Sequence, residues 1–335
     1  MNLVTGATGL LGAHLLASLI KAGKFTRAIR RSKSKMNLVE KTFRRQNLAV
    51  DSVEWIEADV TDIFSIQKAM TDVENVYHCA AVVSFNPSSA GYMMNVNVNG
   101  TANVVNAAIE YGIKKFCHVS STAALGRSEE NILITEESHW LNSKHNSVYA
   151  ISKYGAEREV WRGIEEGLNA VIINPCVILG AGDWNTDSSR LLGQVAKGLN
   201  FFPAGGNAFV DVLDVVEVMM QLMQKGISKE RFLVMSENKS YKEIFRMIAE
   251  ALGKKPPSIK INTMMASAAW RAEWIRSRVF NKSPLVTREM MHSSSRTYQY
   301  SNEKIQKTLG YEFIPVKKCI NENCRILLEE KAVNH

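Results

Sequence analysis

The sequence predicts an α/β chain with a doubly wound parallel sheet and a smaller C-terminal lobe. Two observations carry that prediction: three glycines at fixed spacing between a strand and a helix, and an alternation of strand-like and helix-like segments after them. In Asn2-Leu-Val-Thr-Gly6-Ala-Thr-Gly9-Leu-Leu-Gly12, Leu3 and Val4 read as the end of a buried strand. Leu11, Leu15, Leu16 and Leu19 then recur at helical spacing. The glycines fall on the turn between the two. A missing side chain there lets backbone approach a pyrophosphate and lets helix pack close on strand. The new helix directs free N–H groups and its positive dipole end at the phosphates.

Further strands are predicted at 26–30, 53–57, 75–78, 115–120 and 170–175, with amphipathic stretches between them, notably 91–111 and 148–166. Such alternation builds a parallel sheet with helices on both faces, and ligands then bind beyond the carboxyl ends of the strands. After Pro175 the pattern loosens. Gly180-Ala-Gly182-Asp183 and Pro203-Ala-Gly205-Gly206 read as turns, and helix-like segments follow at 214–224 and 240–252. Residues 1–175 are therefore read as the nucleotide-binding core. Residues 176–335 are read as a mixed segment, part returning to the core and part forming a small lobe.

At 335 residues and 46% hydrophobic, the chain can bury a large core, and no apolar run approaches the ~20 residues that span a bilayer. The sequence opens directly into its first strand, with no leader-like segment before it. Five scattered cysteines, with Cys319 and Cys324 lacking partners at zinc-like spacing, point to a reduced, cytoplasmic setting and no metal site. The net charge of +8 is concentrated: 21–45 holds ten basic residues against Glu40, and 254–296 holds nine against Glu273 and Glu289. Two local basic surfaces suggest two anionic or polar contacts, not a nucleic-acid partner.

Tyr149-Ala-Ile-Ser-Lys153 lies in the helix-like segment from Val148. Four residues is about one turn, so both side chains share a face. An ammonium beside a phenol stabilises phenolate and lowers the phenol pKa, so the pair can exchange a proton with an alcohol or ketone oxygen. Val119-Ser120-Ser121-Thr122 closes an apolar strand, and a hydroxyl there can reach a substrate oxygen or cap a turn.

Together these residues resemble the extended short-chain dehydrogenase/reductase family, over most of the chain and most strongly from Asn2 to Asp183. The resemblance implies a Rossmann fold and an enzyme that moves hydride with a nicotinamide cofactor. Gly6, Thr8, Gly9, Leu10, Leu11 and Gly12 look like its cofactor loop. Asp59 and Val60 match the place where an aspartate meets the adenine. Cys79, Ala80 and Ala81 resemble its cofactor-side strand end. Asn97, in Asn97-Val-Asn-Gly100-Thr101, matches an asparagine that supports the active-site helix. Ser121, Tyr149 and Lys153 align with the catalytic trio, Lys153 also holding the nicotinamide ribose. Asn174 and Pro175, with Val177 beyond, resemble the segment beside the nicotinamide. Asp211 and Asp214 fall in a stretch like the family's Val-Asp-x-x-Asp-Val.

An NAD-preferring site places a carboxylate at the end of the second strand. Here that region reads Arg27-Ala-Ile-Arg30-Arg31-Ser32. A guanidinium suits a 2′-phosphate, so NADP is expected, with Arg30 first, then Arg31 and Ser32; NAD remains possible. Arg27-Ala-Ile-Arg30 resembles the dihydroflavonol-reductase and 3β-hydroxysteroid-dehydrogenase branch, which implies reduction of a ketone or aldehyde, or oxidation of the alcohol. Two alternatives stand beside it: a nucleotide-sugar epimerase or dehydratase, and a non-catalytic NADP-sensing regulator. Phe85 and Trp184, with Ser121 and Tyr149, are the expected substrate contacts; Asn86, His139 and Trp140 lie near cleft-forming segments. Trp270, Trp274, Met264 and Met265 would give an apolar wall, and Arg271, Arg276 and Arg278 could serve a diphosphate. A homodimer through the helices at 91–111 and 148–166 is possible, with Ala150, Gly155 and Ala156 small enough for close packing.

Overall fold

Strands β1 (Asn2–Thr5), β2 (Thr26–Arg30), β3 (Glu54–Glu57), β4 (Asn75–His78), β5 (Lys115–Val119), β6 (Ala170–Pro175) and β7 (Glu230–Val234) form one sheet in the order β7-β6-β5-β4-β1-β2-β3. Every neighbouring pair is parallel. The chain starts in the middle of the sheet, runs outward to β3, then returns past β1 to build the other half from β4. The direction of winding reverses between β1 and β4, which opens a crevice at their carboxyl ends. The computed structural model describes residues 1–32, 34–126, 132–143, 146–184, 189–279 and 287–333.

Period-two alternation along the strands feeds two separate cores. Val4, Cys117, Val119, Val171 and Ile173 face α1 (Leu10–Lys21) and α2 (Asn37–Arg45), where Leu15, Leu16, Leu19, Val39 and Phe43 are buried. Leu3, Val76, Phe116, Ala170 and Ile172 face the opposite layer of α3 (Ile63–Met70), α4 (Gly100–Glu110) and α5 (Val148–Glu165). Both faces of the sheet are covered, which is why its inner strands read as near-continuous apolar runs.

The segment predicted as one helix over 91–111 is three: Ala90–Met94, a π-helical turn at Asn95–Asn99, and α4. Periodicity cannot register that break, because the π turn inserts its extra residue without stopping the helix.

The mixed segment after Pro175 divides. β7 and α6 (Val212–Gln224) join the central sheet and its first core. A three-stranded sheet of Glu237–Ser240, Gly206–Asp211 and Val177–Leu179 carries a third core, with the helices Tyr241–Ala251 and Val316–Val333 over it. Asp211 caps α6 through the Leu213 N–H at 2.8 Å. Asp214, fully buried, accepts from the Tyr311 hydroxyl at 2.7 Å and the Ile314 N–H at 3.0 Å, which ties the C-terminal segment to the core. These aspartates act in the framework. Among the described residues no helix is long and apolar enough to cross a membrane.

Tyr311→Phe removes one of the two donors from a buried carboxylate. It should lower the unfolding free energy in urea by about 1–3 kcal/mol.

Candidate active site

The turn after β1 has no room for side chains at two of its glycines. Gly6 has φ +66°, and a Cβ there would stand 2.6 Å from the Ala80 nitrogen, so the first turn lies directly on the end of β4. A Cβ on Gly12 would stand 2.3 Å from the Gly6 carbonyl oxygen, which brings the start of α1 against the turn. Gly9 differs: it is exposed, and a Cβ there would meet only the Gly6 carbonyl at 3.4 Å. It is also the N-cap of α1 and offers no side-chain cap. The first turn of the helix therefore presents amide groups to an anion at the mouth of the crevice, a fit for a dinucleotide pyrophosphate. Thr8 and Leu10 are half-buried beside it, while the Leu11 side chain belongs to the core.

The two flanks of the crevice also fit a dinucleotide. One oxygen of Asp59, Oδ1, accepts from the Thr61 N–H at 2.9 Å and the Thr61 hydroxyl at 2.8 Å, which fixes the carboxylate just beyond β3. Val60 packs on Gly100 at the start of α4. Arg30 ends β2 exposed, and its side chain enters no hydrogen bond or ion pair with a described residue. Arg31 donates from its guanidinium to the Tyr92 hydroxyl, and its N–H donates to Ser34 Oγ at 3.1 Å. Ser32 is exposed beside them. Arg27 is fully engaged with Glu54 and with the Ala69 and Thr71 carbonyls.

A buried polar chain runs from the glycine turn toward α5. The Ala80 N–H donates to Thr5 Oγ1 at 3.1 Å, Thr5 Oγ1 lies 2.7 Å from His78 Nδ1, and His78 Nε2 lies 3.0 Å from Thr101 Oγ1. Thr101 donates its only hydroxyl proton to the Asn97 carbonyl at 2.6 Å. It can therefore only accept from His78, so the imidazole carries its proton on Nε2 and Thr5 donates to Nδ1. Burial pushes His78 down to about 3, with the Lys153 charge adding to the effect, so the ring stays neutral. Asn97 sits in the π turn. Its side chain accepts from the Val82 N–H at 2.7 Å and donates to the Val82 carbonyl at 3.0 Å and Ser152 Oγ at 2.9 Å. The loop after β4, which carries Cys79, Ala80 and Ala81, is thereby stitched to α5.

On α5, Tyr149 and Lys153 stand one turn apart, behind a Ser147 N-cap that accepts from the Ala150 N–H at 2.9 Å. Burial pushes the Tyr149 phenol above its usual range, and a hydrogen bond with Ser121 works against that. Lys153, 2% exposed, donates to the Val119 carbonyl at the end of β5 at 2.8 Å, and burial outweighs every other influence on Tyr149. Burial also lowers Lys153 to about 8, against the opposing charge of Glu157. Ser121 caps the short turn Thr122–Leu125, and its carbonyl accepts from Asn174 Nδ2 at 3.0 Å. The Phe85 ring lies 6.0 Å from the Tyr149 ring, centroid to centroid. Phenol, hydroxyl and ammonium therefore meet at the carboxyl ends of β4 to β6, where they can bind an oxygen and move a proton.

Residues 2–234 match the NAD dependent epimerase/dehydratase family. The chain belongs to that family. It is an NAD(P)-dependent enzyme of the extended short-chain dehydrogenase/reductase type. It is 32% identical over 264 residues to sterol demethylase protein B of Methylococcus capsulatus, covering 78% of this chain and 77% of that one. With cinnamoyl-CoA reductase 2 of Medicago truncatula it shares 25% identity over 340 residues, 98% of this chain and 91% of the relative. The crystal structure of gox2253 is similar at a TM-score of 0.82, with 30% identity and 98% of each chain covered.

Not every residue expected at the site of this epimerase/dehydratase-family chain is brought to it. Trp184 packs on the third core, and its indole N–H donates to Glu330 at 2.7 Å, so it is committed to holding the lobes together. Trp140 stacks on Tyr154 at 4.4 Å. Asn86 caps the turn Pro87–Ser89. Met264 is 82% and Trp274 51% exposed, so they form no packed wall. Arg271 lies over Trp270, Arg278 over Trp274, and Arg276 pairs with Glu273 at 2.5 Å. Part of that Met- and Trp-rich stretch, 280–286, lies outside the described residues. Ala150 and Ala156 are buried and Gly155 packs on Val98, so the small residues of α5 serve contacts within the chain. Sequence reasoning assigned no role of its own to Thr101 and did not single out Glu157. Glu157 had a signal: it repeats the Tyr149 and Lys153 spacing one turn further along the same face.

Thr101→Val should leave the His78 N–H buried without an acceptor and cost about 1–3 kcal/mol in urea unfolding. If stability is unchanged, the polar chain does not run as described.

Proposed function

We propose that this protein is an NADP-dependent oxidoreductase that reduces a ketone or aldehyde, or oxidises the corresponding alcohol, with Ser121, Tyr149 and Lys153 handling the oxygen and its proton. The observation that carries the reading is the meeting of Tyr149, Ser121 and Lys153 at one strand-end crevice, under an apolar ring from Phe85. The relatives named as reductase and sterol demethylase support the carbonyl or alcohol branch.

Gly6, Thr8, Gly9, Leu10, Leu11 and Gly12 would hold the pyrophosphate, and Asp59 and Val60 the adenine. Cys79, Ala80, Ala81, Asn174, Pro175 and Val177 would line the nicotinamide end. Arg30 would meet the 2′-phosphate, with Arg31 and Ser32 next to it. The bound cofactor supplies or accepts the hydride. Ser121 donates to the substrate oxygen and Tyr149 gives it a proton, or takes one in the reverse direction. Lys153, as an ammonium, holds the ribose and favours phenolate when the proton leaves. Asn97 acts through the Val82 loop and Ser152, as a support. Of the arginines that could serve a nucleotide sugar's diphosphate, Arg276 is paired with Glu273, while Arg271 and Arg278 lie over Trp270 and Trp274.

Screening a panel of ketones and aldehydes with NADPH and NADH tests the reading, and turnover is expected with NADPH. Tyr149→Phe should lower kcat by at least ~10²-fold, the scale of a lost general acid, with NADP affinity intact. Arg30→Ala should weaken NADP binding about tenfold or more and leave NAD binding unchanged, since a charged hydrogen bond is worth ~1.5–3 kcal/mol and ~1.4 kcal/mol is tenfold. Lys153 sits at about 8, so its ammonium is present below that pH and lost above it. kcat/KM should accordingly fall as pH rises through about 8.

A further inference from the structure

Glu157 lies on α5 one turn beyond Lys153, faces the sheet, and is 2% exposed. Its Oε2 accepts from Ser120 Oγ at 2.6 Å and Asn174 Nδ2 at 2.7 Å. Its Oε1 accepts from Arg231 Nη1 at 3.0 Å and the Trp161 indole N–H at 3.3 Å. Ser120 is the residue before Ser121, and the Nδ2 group of Asn174 that reaches Glu157 also donates to the Ser121 carbonyl. One carboxylate thus fixes both residues that bracket Ser121. Arg231 sits on β7 and is anchored in turn by the Glu136 carbonyl at 2.8 Å and the Ser138 carbonyl at 3.1 Å.

A buried carboxylate of this kind is a poor choice for stability alone, because its desolvation offsets most of what its partners return. We propose that Glu157 is a positioning residue for the proton-handling pair: its carboxylate locks the ends of β5 and β6 around Ser121 and supplies the negative charge that faces Lys153. This rests on the reading of Lys153 as the site's ammonium. The groups facing Lys153 are Glu157 from α5, His78 from the end of β4, Cys79 from the loop after it, and His118 from β5. Burial keeps both imidazoles and the thiol uncharged at neutral pH. Glu157 is therefore the source of negative charge in that group, and Arg231 pairs with it at 3.0 Å from the side of β7.

The test is a pH titration of the full chain labelled with 13C at the lysine ε-carbon, with the Lys153 signal assigned by Lys153→Met. In the unaltered protein that signal should titrate near pH 8. Glu157→Gln should move the midpoint down by about one pH unit or more, the effect of removing one close opposite charge. Glu157→Asp should restore it to within a few tenths. Arg231→Met should move it up, because the Glu157 charge is then no longer shared with a paired guanidinium; this variant decides the matter if Glu157→Gln does not fold. A Lys153 midpoint unmoved in folded Glu157→Gln, or moved down in Arg231→Met, overturns the proposal and leaves Glu157 a framework residue. Neither result requires turnover, so a protein inactive on every carbonyl would count against the catalytic reading alone.

Discussion

The crevice depends on the seam between β1 and β4. At that seam a glycine with positive φ lies directly on backbone, and a threonine, a histidine and a second threonine pass hydrogen bonds through the sheet interior. Donors and acceptors are matched without surplus, which is what a polar chain in a low-dielectric interior requires. Its last acceptor is the Asn97 carbonyl in the π turn, and the Asn97 side chain carries the connection to α5. The glycine turn and the Tyr149–Lys153 helix, far apart in sequence, are thereby held by one continuous set of bonds.

The second organising element is the sheet-facing edge of α5. Tyr149, Lys153 and Glu157 occupy three successive turns on one edge of α5. Burial disfavours the charged forms of Tyr149 and Lys153, and buried polar groups here must be met by nearby partners. Lys153 meets the Val119 carbonyl, and Glu157 meets Ser120, Asn174 and Arg231. Ser121 lies between these anchors, so a hydroxyl at a loop-like strand end is placed as firmly as one inside a helix. The C-terminal segment closes the arrangement from outside. Asp214 holds Tyr311, and Glu330 joins Trp184 to Lys41 and Arg45 of α2.

Much of this was legible in the sequence because it is written locally. The glycine turn, the apolar strands and the one-turn spacing of Tyr149 and Lys153 depend on a 2.0- or 3.6-residue period and on backbone sterics, which neighbours in sequence decide. The basic end of β2 was legible too, since Arg30 and Arg31 replace a carboxylate at a known place. Arg27 in the same run pairs with Glu54 on β3, which takes it out of the crevice. The π turn was invisible because it keeps the helical periodicity on either side.

The sequence by itself determined six of the seven strands of the sheet and the glycine turn between the first strand and the first helix, because those follow from patterns within a few residues. Only the tertiary structure decided which polar groups are spent and which are left free. Trp184 went to Glu330, the basic stretch near the C-terminus went to its own tryptophans, and Lys153 went to a backbone carbonyl. The partners of Trp184 and Lys153 lie far off in sequence or on the backbone. A buried polar atom takes whichever partner packing brings within reach, and no local pattern records that.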